Sequence, residues 1–311
     1  MGTEAATSQP ATASTRASNP SERDVWQANS GQLAWPTIVL SLSAASAHVT
    51  VFVLHAVGWL GDLGAVSLAF VLAYVAFTPL HEASHGNVAG RVRAGGVAPK
   101  IAARFDAAIG WLSGIQLLAP FPAFKVLHLQ HHSHTNDASK DPDMWVAAHG
   151  KHPWVRAFSV LAKCFTLLPH YYADFFVGPA SETKAARTQR VPVIVGVFVL
   201  LAIITTFAWF GLGRTVFFAW LLPAWFATAL LGLLFDWLPH RPHDTRGRYL
   251  DTRAIDAPLG VPMLGQHLHL VHHLYPRVPF YRYRRVFDAL RPLLLRKGAR
   301  IDASRHGLKG H

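Results

Sequence analysis

Residues 35–60 have the sequence WPTIVLSLSAASAHVTVFVLHAVGWL, an uncharged apolar run that sets the class of fold. At 1.5 Å per helical residue, this run is long enough to cross a hydrocarbon core of roughly 30 Å. The short GDLG at 61–64 then turns the chain into AVSLAFVLAYVAFTPL at 65–80, which is also apolar. The sequence therefore predicts a hairpin of two transmembrane helices.

A second apolar pair follows much later, with VPVIVGVFVLLAIITTFAWFGL at 191–212 and TVFFAWLLPAWFATALLGLLFDW at 215–237. Two hairpins give four spans, at about 35–60, 65–80, 191–212 and 215–237. We therefore predict an all-α integral membrane protein built from two transmembrane hairpins. The alternative is that residues 81–190 contain two further spans.

The composition agrees with a membrane protein. Hydrophobic residues make up 51% of the chain and charged residues only 15%, whereas soluble domains carry about 25% charged residues. The single cysteine, Cys164, excludes an internal disulfide and any cysteine-based metal site. The formal net charge of +12 suits nucleic acid or anionic lipid headgroups. Because the chain is so apolar, we expect membrane lipid and no nucleic acid as the partner.

We predict three regions along the chain. Residues 1–31 are rich in Ser, Thr, Ala and Pro and indicate a disordered tail. Residues 32–295 form the membrane domain, and residues 296–311 form a basic C-terminal tail. Within the domain, 107–121 and 155–176 are apolar but interrupted by polar residues, which is typical of helices that lie in the membrane interface.

The distribution of positive charge predicts the orientation of the spans. Every Lys and Arg except Arg214 falls in 1–34, 81–190 or 238–311. By the positive-inside rule, those parts and both termini are cytoplasmic. The Arg- and Leu-rich stretch at 281–305 predicts an interfacial helix that faces phospholipid.

Most of the 19 histidines belong to four short clusters. The clusters are HEASH at 81–85, HLQHHSH at 128–134, DWLPHRPH at 236–243 and HLHLVHH at 267–273. The HxxHH spacing occurs twice, and an HxxxH spacing places two rings on one face of a helix. Because each cluster follows a predicted span or interfacial segment, we expect the four clusters to meet at one membrane depth, in a cytosolic cap.

Clustered imidazoles beside an apolar membrane surface indicate metal ligands, because a metal stabilises packed neutral rings. The rings exceed the needs of one metal, so we expect two ions, and an all-nitrogen environment is consistent with oxygen activation at iron. Two alternatives stay open. HEASH also matches the HExxH pattern of zinc proteases, with Glu82 as the general base. A His-rich membrane chain can also be a metal carrier.

HEASH, HLQHH and HLVHH resemble the three histidine boxes of the membrane fatty-acid desaturase and hydroxylase superfamily, in that family's order and approximate spacing. The resemblance covers residues 35 to about 290. The sequence around two of the boxes is similar to that of carotenoid β-ring hydroxylases of the cyanobacterial type. The similar stretches are HLQHHSHTNDASKDPDMW at 128–145 and HLVHHLYPRVPFYRYR at 269–284. Acyl desaturases are similar in the boxes and less similar around them.

The resemblance implies a set of metal ligands. In stearoyl-CoA desaturases an Asn and a His four residues later complete the metal shell, and here Asp236 and His240 occupy that pattern. The implied ligands are His81, His85, His128, His131, His132, His240, His269, His272 and His273. Residues expected to support ligands or line the substrate pocket are Asp236, His134, His243, His267, Glu82 and Asp137. The remaining histidines, including His48 and His55, are expected to be ordinary hydrogen-bonded residues.

The resemblance also implies an O₂-dependent di-iron oxidoreductase that acts on a lipid C–H bond. The text around the boxes favours carotenoid β-ring hydroxylation, and acyl-lipid desaturation or hydroxylation is the alternative. The chain has no HPGG haem motif and no GxGxxG nucleotide fingerprint. We therefore expect electrons from an external, ferredoxin-like donor that docks on the basic surface of residues 241–311.

Overall fold

The structure is a computed structural model that describes residues 21–90 and 99–303, and most of this chain is helical. The α-helices are α1 (Glu22–Ala28), α2 (Trp35–Ala56), α3 (Asp62–Ser84), α4 (Pro99–Gly114), α5 (Phe121–His134), α6 (Pro153–Phe165), α7 (Leu167–Phe176), α8 (Lys184–Phe207), α9 (Gly213–Val216), α10 (Leu222–Leu231), α11 (Leu238–His240), α12 (His269–Leu274) and α13 (Tyr283–Arg296). The two strands are β1 (Arg253–Asp256) and β2 (Arg300–Ala303). Short π-helical stretches at Ala208–Leu212, Phe217–Leu221 and Gly232–Trp237 join α8 to α11.

Three helical stretches in the described residues are long and apolar enough to cross a membrane: Trp35–Ala56, Asp62–Ser84 and Lys184–His240. A bent pair, Pro99–Leu117 with Phe121–His134, would raise the number to four if it is one span. The first predicted hairpin therefore corresponds to α2 and α3, and α3 continues past the predicted end at residue 80 to carry HEASH.

The predicted spans 191–212 and 215–237 lie in the single helical stretch Lys184–His240, which has a break at its middle. Gly211 has φ +82°, a left-handed conformation that glycine adopts without steric cost. Leu200 packs in one cluster with Val216 and Trp220. In a straight helix Leu200 and Val216 would be about 24 Å apart, so the chain reverses at the break and forms two arms.

Helix α3 is the centre of the bundle because one of its faces is made of small residues. Ala65, Ala69, Ala73 and Ala76 are all fully buried, at intervals of three or four residues. Small side chains at this spacing let neighbouring helices approach closely, as membrane helices commonly do. Helices α2, α4 and α10 pack around α3, which places the end of α3, and the first histidine cluster, in the middle of the fold.

The two segments that we predicted to be interfacial differ from each other. Residues 107–121 belong to α4 and to a 96° bend before α5, and Ile109 and Leu117 are buried in the core beside α3. Helix α6 instead has an exposed apolar face, with Trp154 86% and Phe158 73% exposed. Such a face suits a helix that lies in the membrane interface.

The described residues also correct the predicted tails. The disordered tail was predicted to reach residue 31, but Ser21 caps α1 and Val25 packs in the core. The basic tail was predicted from residue 296, but β2 pairs in parallel with β1, so the fold is not purely α-helical. Residues 1–20 and 304–311 lie outside the described residues.

The prediction that the stretch 281–305 faces phospholipid is wrong for α13. Its apolar residues Val286, Phe287, Leu290 and Leu294 are buried against α12 and α1 in a protein core. An amphipathic helix looks the same in sequence whether its apolar face meets lipid or protein. In this fold the apolar face of α13 is covered by protein.

We expect Leu290→Ala to lower the free energy of unfolding by about 2–5 kcal/mol, because it leaves a cavity in that core. Leu295 lies on the same helix and is 53% exposed, so Leu295→Ala is the matched control and should change stability by less than about 0.5 kcal/mol. Denaturant unfolding in detergent micelles measures both. Equal effects of the two substitutions would show that the Leu290 face is not packed against protein.

Candidate metal centre

The fold brings all nine predicted histidine ligands into two neighbouring groups. In each group the ligand nitrogens lie within 4.8 Å of one another. The first group contains His81, His85, His128, His132 and His272. The second group contains His131, His240, His269 and His273. Residues from α3, α5, α11 and α12 thus converge on one place.

Helical spacing explains how each segment contributes. His128 and His132 are one turn apart on α5 and enter the first group, whereas His131 between them enters the second. On α12, His269 and His273 enter the second group and His272 enters the first. Each HxxHH box therefore supplies both groups, which requires α5 and α12 to lie between the two sites.

The five nitrogens of the first group form a continuous series of short distances. His81 Nε2 is 3.0 Å from His272 Nε2, which is 2.8 Å from His132 Nε2. His132 Nε2 is 3.2 Å from His128 Nε2, and His128 Nε2 is 2.8 Å from His85 Nε2. Two nitrogens that bind one metal at about 2.1 Å and at right angles are about 3.0 Å apart. The spacing fits a shared metal ion.

Hydrogen bonding among the rings cannot account for this arrangement. A neutral imidazole nitrogen has either one proton or one lone pair, so it can make only one such bond. His128, His132 and His272 each place Nε2 close to two other Nε2 atoms. A metal ion accepts all the lone pairs at once, and the donor set therefore fits a metal.

The second group shows the same fit. His273 Nε2 lies 3.3 Å from His131 Nε2 and 3.2 Å from His269 Nε2. The His240 ring stands edge-on to His131, with 4.7 Å between ring centroids. His240 Nε2 is buried and has no hydrogen-bond partner, while its Nδ1 lies 3.3 Å from the Asp251 carbonyl oxygen. The unpartnered nitrogen faces a position that a metal would fill.

Two carboxylates hold the ring of His131. His131 Nδ1 is 2.9 Å from Asp141 Oδ1 and 3.2 Å from Asp143 Oδ2. Such partners fix the tautomer with Nδ1 protonated and leave Nε2 free for a metal. Burial raises the pKa of Asp143 to about 6; the nearby His131 opposes this rise, and Asp141 adds to it. Asp137, which we predicted to be near the site, instead lies on the outside of the loop and pairs with Arg246.

The ring of His272 has a different support. Its Nδ1 lies 2.9 Å from the Tyr283 hydroxyl oxygen, and the Tyr283 O–H donates to Glu82 Oε1 over 3.4 Å. Glu82 is fully buried and also accepts from Asn87 Nδ2. Glu82 therefore contacts the His272 ring indirectly, through the Tyr283 hydroxyl. This position does not suit the general base of a zinc protease, which must reach a metal-bound water.

Burial keeps the rings in the form that binds metal. Desolvation lowers the pKa of His85, His269, His272 and His273 well below the usual value, and the neighbouring histidines lower the pKa further. Metal ligands must be neutral imidazoles. These four rings are therefore neutral at neutral pH. His131 differs: burial lowers its pKa, but Asp141 and Asp143 outweigh that effect and raise the pKa to about 10, so this ring loses its proton only when a metal binds.

The other predicted residues do not join either group. Asp236 lies near Tyr171, whose hydroxyl is 3.4 Å from Asp236 Oδ2. His134 Nδ1 contacts the Gln130 carbonyl, 3.2 Å away. His243 has a ring centroid 6.2 Å from that of His240, and His267 is buried outside the groups. Sequence reasoning missed Tyr283 and Tyr171, because tyrosines are common near membrane interfaces and carry no distinctive pattern.

His48 and His55 make ordinary hydrogen bonds. His48 Nε2 is 2.8 Å from the Ala219 carbonyl oxygen, and His55 Nε2 is 2.9 Å from Asp62 Oδ1. Both rings are bonded on their second nitrogen as well. They tie α2 to the second hairpin and lie apart from the metal-ligand groups.

An apolar cavity of about 60 Å³ ends at the histidines. Its aromatic walls stack towards the ligands, with Phe124 parallel to His128 at 5.4 Å and Phe77 beside His81 at 5.5 Å. Phe235 stacks on Phe77 at 5.3 Å. The cavity is lined further by Leu80, Leu117, Leu127, Leu167, Leu231, and the polar Asp143, Tyr171 and Asp236. A cavity of this volume has room for a short stretch of hydrocarbon beside the histidine rings.

Comparisons with known proteins agree with this site. The sequence model of the family described as fatty acid desaturase matches residues 57–305, a range that includes both histidine groups. The fatty acid conjugase FAC2 A of Calendula officinalis is 22% identical over 229 residues. That match covers 61% of this chain and 60% of the relative, so it spans less than two thirds of the relative's length.

We expect Asp141→Asn to weaken metal binding by about 10–100-fold, because the His131 ring loses the nearer of its two charged acceptors. Asp137→Asn, in the same loop, is the matched control and should leave the affinity unchanged. Competition with a chelator, followed by metal analysis, measures both. A wild-type affinity in Asp141→Asn would show that the carboxylate does not support the ligand.

We expect His240→Ala to lower the bound metal below two ions per chain, because the second group loses one of its four rings and holds its ion less tightly. His134→Ala removes a ring outside both groups and should keep two ions. Metal content per chain after gel filtration is the measurement. Two tightly bound ions in His240→Ala would contradict the assignment of this ring.

Proposed function

Since the chain belongs to the fatty acid desaturase family, we propose that it is an O₂-dependent enzyme that desaturates or hydroxylates acyl chains of membrane lipids. Membership makes the protein an oxidoreductase that acts on lipids. The observation that carries the finer proposal is the position of both histidine groups at the end of an apolar cavity.

We assign two metal ions, both iron, to the two histidine groups. When bound, the irons would supply the reduction of O₂ and the removal of hydrogen from an unactivated C–H bond. The chain itself supplies the ligands and keeps them in place. The carboxylates of Asp141 and Asp143 lie next to the protonated Nδ1 of His131. The Tyr283 hydroxyl oxygen accepts a hydrogen bond from the Nδ1–H of His272. No acid–base side chain is needed for hydrogen removal in this proposal.

The walls of the cavity position the substrate. Phe77, Phe124 and Phe235 give a continuous apolar surface up to the ligand rings. A methylene chain that lies along them is desolvated, and water is kept away from the reacting carbon. The position oxidised is then set by how far the chain extends past these rings.

An acyl substrate has more support than a carotenoid ring. The names of the matching family and of the conjugase relative both refer to fatty acids. The prediction of carotenoid β-ring hydroxylation, drawn from the text at 128–145 and 269–284, gains no support from these comparisons. It is therefore the alternative outcome of the test below.

The arrangement in the membrane is part of the proposal. In this proposal both arms of Lys184–His240 cross the membrane, which gives four spans. The histidine groups and both termini then lie on the cytosolic side. The charge distribution supports this orientation. At the opposite end, Arg214 Nη2 lies 2.7 Å from Asp62 Oδ2, so the one cationic residue there is paired.

The test is lipid and pigment profiling by mass spectrometry in a β-carotene-producing bacterium that expresses this chain. We expect acyl chains two mass units lighter if the product is an alkene, or sixteen mass units heavier if it is an alcohol. The masses follow from the loss of two hydrogens or the gain of one oxygen.

The control is the His131→Ala, His132→Ala double variant, which removes one ligand from each group. It should produce no new lipid. New polar carotenoids with unchanged acyl chains would move the protein to ring hydroxylation. Unchanged lipids and pigments, with a variant indistinguishable from the wild type, would contradict the proposed oxidation.

A further inference from the structure

One exposed aromatic ring lies close to the second histidine group. Trp145 is 36% exposed and belongs to the 3₁₀ turn Pro142–Val146 that also carries Asp143. Its Nε1 donates to the Lys163 carbonyl oxygen over 3.1 Å, which fixes the ring against the end of α6. The ring therefore has a defined position at the surface.

A series of contacts leads from this ring to His131. Trp145 stacks on His170, with 4.3 Å between centroids and 9° between planes. The His170 ring is 6.1 Å from the ring of Tyr171. The Tyr171 O–H donates to Asp143 Oδ1 over 2.5 Å, and Asp143 Oδ2 is 3.2 Å from His131 Nδ1. Two ring contacts, one hydrogen bond and one ion pair thus connect the surface to His131.

Unpaired positive charge surrounds the Trp145 ring. Lys163 Nζ lies 5.6 Å from the ring centroid, and Lys140 lines the same surface depression of about 290 Å³. Arg156 is on the same face of α6 as Lys163, two turns earlier. Within residues 21–90 and 99–303, none of these three cations forms an ion pair. We call this surface the Trp145 face, defined by Trp145, Lys140, Arg156 and Lys163.

The basic C-terminal part offers less free charge than its sequence indicates. Arg284 pairs with Asp256 and Asp288, and Arg253 pairs with Asp302. Arg248 pairs with Glu22 from α1. These ion pairs reduce the field that residues 241–311 present to an acidic partner. The cations of this part that form no ion pair among the described residues are Arg241, Arg277, Arg282, Arg285, Arg296 and Lys297. Arg285 is one of the exposed ones.

We propose that an acidic one-electron carrier protein docks on the Trp145 face and that electrons reach the second histidine group through His170, Tyr171 and Asp143. This inference rests on the proposed function, because only a redox enzyme needs the electrons. Each docking event leaves the carrier oxidised by one electron and reduces one metal ion by one electron. No covalent bond forms or breaks in the transfer, and two events supply both metals.

The docking test uses the full, iron-loaded chain in detergent micelles and a purified acidic [2Fe–2S] ferredoxin as the probe. We expect the double variant Lys140→Glu, Lys163→Glu to weaken binding by about tenfold or more and to flatten its dependence on salt. Arg285→Glu is the matched control, since it reverses one exposed charge on the other surface, and it should bind within about twofold of the wild type.

The route test measures reduction of the metals by stopped-flow absorbance. We expect Trp145→Leu and His170→Leu to slow reduction by ferredoxin about tenfold while reduction by dithionite, a small reductant that needs no docking, stays at the wild-type rate. Trp145→Phe keeps a ring on His170 and should restore part of the rate. His149→Leu, in the same depression but outside the contact series, is the control.

Three results would overturn the inference. These are no salt-dependent ferredoxin binding by the wild type, equal weakening by Arg285→Glu and by the lysine variant, or an unchanged ferredoxin-driven rate in Trp145→Leu. Failure of the proposed function is a separate result. In that case the wild type would dock ferredoxin and accept its electrons, but cellular lipids would not change.

Discussion

The structure depends on the packing of nine buried or partly buried imidazoles whose ring nitrogens converge in two groups. Hydrogen bonds among the rings cannot satisfy these nitrogens, and burying polar groups without partners is costly. A metal ion removes that cost only if every ligand is held in place. The fold therefore fixes four separate segments: the end of α3 by its alanine face, α5 by the sharp bend before it, α11 by the long second hairpin, and α12 by the core that it shares with α13.

The two histidine groups have different surroundings, and this difference organises the site. In the second group, His131 contacts two buried carboxylates. In the first group, His272 contacts the hydroxyl of a tyrosine. A carboxylate makes an imidazole more basic than a neutral acceptor does. The contact series from Trp145 ends on the carboxylate side. The electron entry that we propose and the negative charge around His131 thus belong to one region of the protein.

The surface of the protein also has two different parts, the apolar helices and the cap. Apolar side chains of α2, α6 and α8 are exposed where lipid would cover them, with Trp35 63% and Phe198 67% exposed. The cap is built differently, because α1, α13 and the two-stranded sheet bury their apolar residues against protein and expose arginines. In the function that we propose, this division lets a hydrocarbon substrate and a water-soluble partner approach the two histidine groups from two sides.

Spacing along the chain predicted the long apolar segments and the clustering of the histidines, because helix length and the HxxHH pattern are local properties. The set of nine ligands, with His240, came from the family resemblance. Contacts between distant segments set the remainder. Asp141 and Asp143, rather than Asp137, face His131 because of how the loop folds over α5. Leu290 faces protein because α12 and α1 cover it, and β2 pairs with a strand that lies far from it in sequence. Local sequence carries no information about which partner a side chain meets once the chain has folded back on itself.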